Sequence, residues 1–187
     1  MKPAPRGFTL IELLVTIAVA AILLTIGVPS FQELFYRNRV ATVTNEFLTA
    51  LNYARSEAVK NSQTTVICMS NNQTTCTANT GWANGWIIWV DRTGGGTFSS
   101  NYIVRVHGAI NAGDATLVGT VGTQSGFAFS SQGALSATPE NGVAYATTGD
   151  TINVCTPSDL PVSRQVVIGP SGLVSSQDPA TALSTCP

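Results

Sequence analysis

From Phe8 to Phe31 the chain is apolar or weakly polar, and its one charged residue is Glu12. Apolar or aromatic residues then recur at Tyr36, Val40, Val43, Phe47, Leu51, Ala54 and Ala58. Steps of three and four place them in one stripe along a helix. Glu33 and Arg37, four apart, can pair on its surface. Asn61-Ser62-Gln63 ends the pattern. An unbroken helix from Phe8 to Lys60 would extend ~80 Å. Gly27 and Pro29 are expected to interrupt it with a kink, because proline lacks an N–H and its ring meets the carbonyl one turn back, that of Thr25.

Beyond residue 63 the period changes from helical to alternating. Thr64–Met69, Trp86–Val90 and Tyr102–Val106 read as strands. Weaker strand candidates are Thr116–Val121, Phe127–Phe129, Gly142–Ala146, Thr151–Cys155 and Gln165–Ile168. Clusters of Gly, Pro, Asn and Ser separate them. The pattern predicts one α+β domain, a long helix against antiparallel sheet in two small sheets. No repeat of fixed period is present. Trp82, Trp86 and Trp89 suggest a contact surface, although alternation in a strand more often turns an aromatic inward.

The first apolar run predicts a membrane segment. Leu13–Val28 alone is short, but Phe8–Phe31 gives a rise of roughly 35 Å, enough for a bilayer core. Lys2 and Arg6 flank its N-terminal side, as expected if that end faces the cytoplasm. An ionised carboxylate in hydrocarbon costs a few kcal/mol or more, so Glu12 is a functional candidate by default. A cleaved secretory signal is the competing reading. It is disfavoured because Ala18, Ala20 and Ala21 lie inside the run and no Ala-x-Ala site follows it.

Arg6-Gly7-Phe8-Thr9-Leu10-Ile11-Glu12-Leu13 resembles the class III leader of type IV pilins and pseudopilins. The resemblance implies cleavage after Gly7 by the prepilin peptidase on the cytoplasmic side, then N-methylation of Phe8. It also implies that Glu12 serves assembly. A free N-terminal amine is cationic near neutral pH. A carboxylate on one subunit can pair with the amine of its neighbour, and a paired buried charge is tolerated where a lone one is not. Glu12 then acts as a register device; a protonated, merely tolerated acid is the alternative. Pro29 resembles a proline at which the helix of such subunits loosens in the filament, and a static bend is the other reading.

Leu51-Asn52-Tyr53-Ala54-Arg55-Ser56-Glu57-Ala58-Val59-Lys60 is similar to the helix-end signature of the GspH/FimT group of minor pilins and pseudopilins. Gly85–Asp91, Phe127–Gly133 and Arg164–Val174 resemble its later hallmarks. The likeness thus covers most of the chain. It implies a type IV pilin fold with a leader at 1–7 and a membrane or filament-core helix at 8–31. The second helix half, 32–62, would pack on a periplasmic β-rich domain at 63–187. The implied partners are other minor pilins, the major pilin, the prepilin peptidase and the inner-membrane assembly platform; no cofactor is implied. The implied location is the inner membrane, single-pass, and then a pilus tip or periplasmic pseudopilus.

Charge and cysteine chemistry narrow the function classes. The chain has nine Lys+Arg and ten Asp+Glu. Loss of Lys2 and Arg6 with the leader leaves seven basic against ten acidic side chains, a net of −3, or about −2 with a protonated amine. Such a balance disfavours general attraction to nucleic acid. Some GspH/FimT members bind DNA through a basic C-terminal segment. The matching stretch here, Gly169–Gln177, holds no basic residue, and Arg164 is the one cation nearby. DNA capture is therefore the less favoured reading.

Cys68, Cys76, Cys155 and Cys186 form an even set, and an exported domain favours disulfides. Of three possible pairings, Cys68–Cys76 with Cys155–Cys186 is preferred, since local closure costs least chain entropy. A zinc site is weak, with no Cys-x-x-Cys and a single histidine, His107, read as a surface or loop residue. Asp91 before Gly94-Gly95-Gly96 lacks the spaced carboxylates of a calcium loop. Asn72-Gln73-Thr74 matches an N-glycosylation pattern of low specificity. An enzyme is disfavoured, since no nucleophile elbow, phosphate loop or His-rich metal pattern occurs. The composite expectation is a minor type IV pilin that primes or tips a filament. A type II secretion pseudopilin and a DNA-binding tip subunit are the alternatives.

Overall fold

The computed structural model describes residues 7–78, 80–111, 115–119, 125–136, 145–146, 149–156 and 163–179, and the side chains of these except 26 and 28–30. The chain divides into two units, Met1–Phe35 and Tyr36–Pro187. Helix α1, Leu10–Asn61, contributes to both. It continues through Gly27 and Pro29, so the expected interruption is not a break in the helix. Its C-terminus is closed by two backbone bonds. Gln63 N–H donates to Ala58 C=O at 3.2 Å and Ser62 N–H to Val59 C=O at 3.3 Å. That pairing is a Schellman motif, which calls for a left-handed residue just past the helix. Ser62 takes the position at φ 53°, where glycine is the usual occupant.

In the second unit the helix buries the stripe that the sequence predicts. Val40, Val43, Phe47, Leu51, Ala54 and Ala58 are all buried, joined by Ala50; Tyr36 is half-buried. Two antiparallel sheets receive it. The first has the order β3-β2-β1-β5, with β1 Thr65–Met69, β2 Trp86–Val90, β3 Ile103–His107 and β5 Gly126–Phe129. The second has the order β4-β6-β7-β8, with β4 Thr116–Gly119, β6 Asp150–Cys155, β7 Ser163–Ile168 and β8 Val174–Gln177. The fold is α+β, a long helix packed on antiparallel sheets. Phe47 sits edge-on to Trp82 at 5.0 Å and to Trp86 at 5.3 Å, and Trp82 stacks on Phe127 at 5.6 Å. Such edge and stacked pairs add to the area they bury.

Strands β1 and β2 of the first sheet are covered on both faces, which is why they read as continuous apolar runs. Ile67, Trp86 and Ile88 face the helix side. Val66, Cys68, Ile87, Trp89 and Ala128 form a second cluster on the outer side, with Cys76, Phe98 and Ile103 packed against it. All three tryptophans are therefore buried, and the contact-surface reading of them is wrong. Strand alternation alone could not reveal that loops cover the outer face. Trp82 lies in a 3₁₀ turn, Trp82–Asn84, rather than on a strand.

Cys68 and Cys76 are bonded, as expected, and hold the loop between them. The other expected bond, Cys155–Cys186, lies outside the described residues at its second member. So does most of the strand expected at Gly142–Ala146, where Tyr145 makes an isolated parallel bridge to Gly126. The strand expected to run from Thr116 to Val121 is described only to Gly119. Strand β8 is not anticipated by its sequence.

Three hallmark segments meet at the end of the helix. Arg55 Nε donates to Gly133 C=O at 3.0 Å. Gly133 and Gly172 both have left-handed backbone, at φ 77° and 73°. A Cβ on Gly172 would overlap the carbonyl oxygen of Gly133. Leu135 N–H, beside them, donates to Pro170 C=O at 3.0 Å. The β7–β8 turn is thus pressed against the turn that follows β5.

Two substitutions check this account, each read by urea unfolding of the tryptophan fluorescence. Ser62→Gly relieves the left-handed strain and raises stability by roughly 0.5–1 kcal/mol. Gly172→Ala lowers it by ~2 kcal/mol or more, since overlap adds to backbone strain. The control Gly94→Ala, at φ 68° with open space around it, loses only about 1 kcal/mol.

Candidate functional site

The N-terminal segment is the first place where sequence and geometry converge. Gly7 has open space where a side chain would project. Nothing in the described packing demands glycine there. Phe8 is 84% exposed. Helix α1 opens with Thr9 as its N-cap and Glu12 at the third helical position. Glu12 N–H donates to Thr9 Oγ1 at 3.3 Å. In return Glu12 Oε2 accepts from Thr9 N–H at 3.4 Å and from Thr9 Oγ1 at 3.5 Å. This is the reciprocal pattern of a capping box. Its bonds are long, and hydrogen bonds weaken beyond about 3.2 Å. The carboxylate therefore remains at the surface with only light engagement. Thr9 is a residue that sequence reasoning passed over, although the Thr-x-x-Glu spacing announces the cap.

Around this end the helix is apolar on every side. Leu10, Ile11, Leu13, Leu14, Val15, Ile17, Val19, Ile22, Leu23 and Leu24 are all exposed large hydrophobics. A helix that is hydrophobic all round requires an apolar surrounding. Among the described residues no helix is long and apolar enough to cross a membrane. The apolar run with described side chains, 10–25, rises ~24 Å at ~1.5 Å per residue, short of a ~30 Å hydrocarbon core. The longer span read from the sequence includes residues 26 and 28–30, whose side chains lie outside those described.

The remaining sequence candidates fall elsewhere. Asp91 is buried, and its carboxylate is filled from within. Oδ1 accepts from Thr93 N–H, Thr93 Oγ1 and Gly94 N–H at 2.8–3.0 Å, and Oδ2 from Gly96 N–H at 2.9 Å. The group organises its own turn. Asn72 does the same inside the disulfide loop, where Oδ1 accepts from Thr74 and Thr75 N–H at 3.0 Å. His107 ends β3, half-buried, with its ring stacked on Trp86 at 3.9 Å. Among the described residues no group of three His, Cys, Asp or Glu is placed to hold a metal. Arg164 Nε lies 3.5 Å from Asp178 Oδ1, so the one cation of the proposed DNA stretch already faces an acid.

Comparison with known proteins places this arrangement. The motif described as the prokaryotic N-terminal methylation motif matches residues 3–28. Type IV major fimbrial proteins FimA of Dichelobacter nodosus are 41% identical over 46 residues. That segment is 25% of this chain, and the chain spans only 30% of the length of those relatives. Two crystal forms of the type IV minor pilin FimU from Pseudomonas aeruginosa PAO1 superpose with TM-scores of 0.60 and 0.57. The first is 22% identical and covers 80% of this chain and 96% of FimU; the second is 20% identical and covers 78% and 98%. At that identity the likeness establishes the fold. The family described as type II transport protein GspH matches residues 43–172, from the buried helix stripe through both sheets to the β7–β8 turn. The chain belongs to the GspH family of type IV pilin-like proteins, the minor pilins and pseudopilins.

Proposed function

We propose that this chain is a minor type IV pilin, a low-abundance subunit that primes or tips a pilus. The observation that carries the reading is Glu12. It is the one charge between Phe8 and Phe31, five residues past Gly7, and among the described residues it is held only by long bonds to Thr9. In this reading the chain enters the inner membrane by residues 8–31, with the globular domain in the periplasm. Prepilin peptidase cuts after Gly7 and Phe8 is methylated. Subunits then bundle their apolar helices, which removes them from lipid. The carboxylate of Glu12 meets the cationic amine of Phe8 on a neighbour, and an ion pair of this kind fixes one axial offset. The assembly platform, the major pilin and other minor pilins are the partners. A second Cys155–Cys186 bond and a loosening of the helix near Pro29 in the filament belong to the same proposal.

A pseudopilin of a type II secretion system is the second reading. The description of the matched family favours it. The FimU and FimA likenesses favour the pilus. The physics of assembly is common to both. The DNA-binding alternative has less support, because Arg164 faces Asp178.

Two variants test the proposal in cells. Glu12→Gln keeps an acceptor for the helix cap but removes the charge. It leaves membrane insertion and leader cleavage intact and lowers incorporation by ~10-fold or more, since a broken buried pair is strongly unfavourable. Immunoblots of sheared fibres and of membranes measure both; normal incorporation would refute the pairing role. Gly7→Leu yields a precursor that stays unprocessed in the membrane. A mature-length product from it would refute the assigned cleavage point.

A further inference from the structure

Strand β3 is an edge strand whose one sheet neighbour among the described residues is β2. Edge strands present backbone N–H and C=O groups that readily pair with another extended chain. The opposite edge of the same sheet is different. The four residues of β5 are buried, and Tyr145 and Leu135 bridge to its ends. On β3, by contrast, Val104, Arg105 and Val106 are exposed, Val106 at 48%.

The two sides of β3 carry different chemistry. Val106 pairs with Ile87, whose side chain lies in the outer cluster. Arg105 and His107 pair with Ile88 and Trp86, which face the helix. On that side an open groove of about 430 Å³ runs between β3 and the polar face of α1, lined by Asn45, Glu46, Trp86, Arg105 and His107 among others. Glu46 lies 3.5 Å from His107. Arg105 rests over the ring of Tyr53 at 5.3 Å. Among the described residues no carboxylate lies within ion-pair distance of Arg105.

We infer that the β3 edge is a docking surface for an extended segment of a neighbouring, different pilin subunit, added as a fifth strand with an Asp or Glu set against Arg105. The inference rests on the filament reading above and names the surface through which the globular domain selects its neighbour. Charge complementarity identifies the occupant. A second copy of this chain, paired antiparallel about the centre of β3, would set Arg105 against Arg105, and like charges directly opposite are destabilising. An inward-facing charge on an edge strand excludes wrong partners and admits a complementary one. Val106 supplies an apolar contact on the other face, while Val104 sits at the bulge where the β2–β3 register shifts; side-chain contacts of this kind add the specificity that backbone pairing alone lacks.

The test uses the full chain in cells that assemble fibres. A photoreactive p-benzoylphenylalanine replaces Val106, and in a control it replaces Ser175 on β8. We expect Val106→p-benzoylphenylalanine to cross-link to a different pilin subunit, in a segment that holds an Asp or Glu within two residues of the cross-link. Ser175→p-benzoylphenylalanine gives no such product. Adding Arg105→Glu lowers the yield at least ~10-fold, as a repulsive pair replaces an attractive one, with tryptophan fluorescence unchanged. Replacing the partner's acid by Arg then restores the yield. Cross-links to a second copy or to lipid, no cross-link at all, or a yield indifferent to Arg105→Glu would overturn the inference. Sheared-fibre immunoblots separate the two failures. A chain present in fibres without the expected cross-link refutes the β3 surface alone, whereas a wild-type chain absent from fibres refutes both readings.

Discussion

The globular unit depends on one packing constraint, the burial of a single helical stripe against two sheets at once. Phe47 lies at its centre, edge-on to both Trp82 and Trp86. Small residues follow it toward the helix end, Ala50, Ala54 and Ala58, and let the sheets approach the backbone. Ile152, Val154, Val166 and Ile168 of the second sheet complete the same cluster. Neither four-stranded sheet could bury its helix-facing side without this stripe, because the two share one core. The Arg55–Gly133 bond and the Gly172 contact close the end of that core where the turns of both sheets meet.

The N-terminal unit obeys the opposite rule. Its described large hydrophobics are exposed, so its structure within one chain is held by backbone hydrogen bonds and a light cap. Apolar side chains around a whole helix have no internal partner to select. Between Phe8 and Phe31 Glu12 is the one charged group set among them. The chain thus combines a domain with its own core and a segment whose described large hydrophobics are exposed.

Sequence made much of this legible, for physical reasons. The stripe from Val40 to Ala58 was readable because a helix imposes steps of three and four whatever it packs on. Strands β1, β2 and β3 were readable from β-branched and aromatic runs between turns. Val174–Gln177 was not, since Val-Ser-Ser-Gln has no apolar alternation, and only pairing with β7 makes it a strand. The fate of the tryptophans was hidden because burial of the outer sheet face depends on how loop residues such as Cys76 and Phe98 fold back on it, which strand periodicity does not encode. Arg55 could be placed on the helix, yet its acceptor stands 78 residues away and no local pattern names it. Glu12 was legible from the rarity of a charge in an apolar run. The Thr9 cap is equally present in the Thr-x-x-Glu spacing, which gives the acid a local role beside any other.

The short loop closed by Cys68 and Cys76 has a bearing on where the domain matures. Cys68 lies in the outer cluster of the first sheet and Cys76 packs on it. A bond that closes so small a loop stabilises the folded state by ~2.5 kcal/mol on chain-entropy grounds. That is a large share of the ~5–15 kcal/mol that ordinarily separates folded from unfolded domains. With the thiols reduced, the cover over Trp89 and Ile87 is tethered less firmly and that face is wetted more often. Thiol oxidation therefore acts as a ripening step, and the redox poise of the surroundings decides how much of the population is finished.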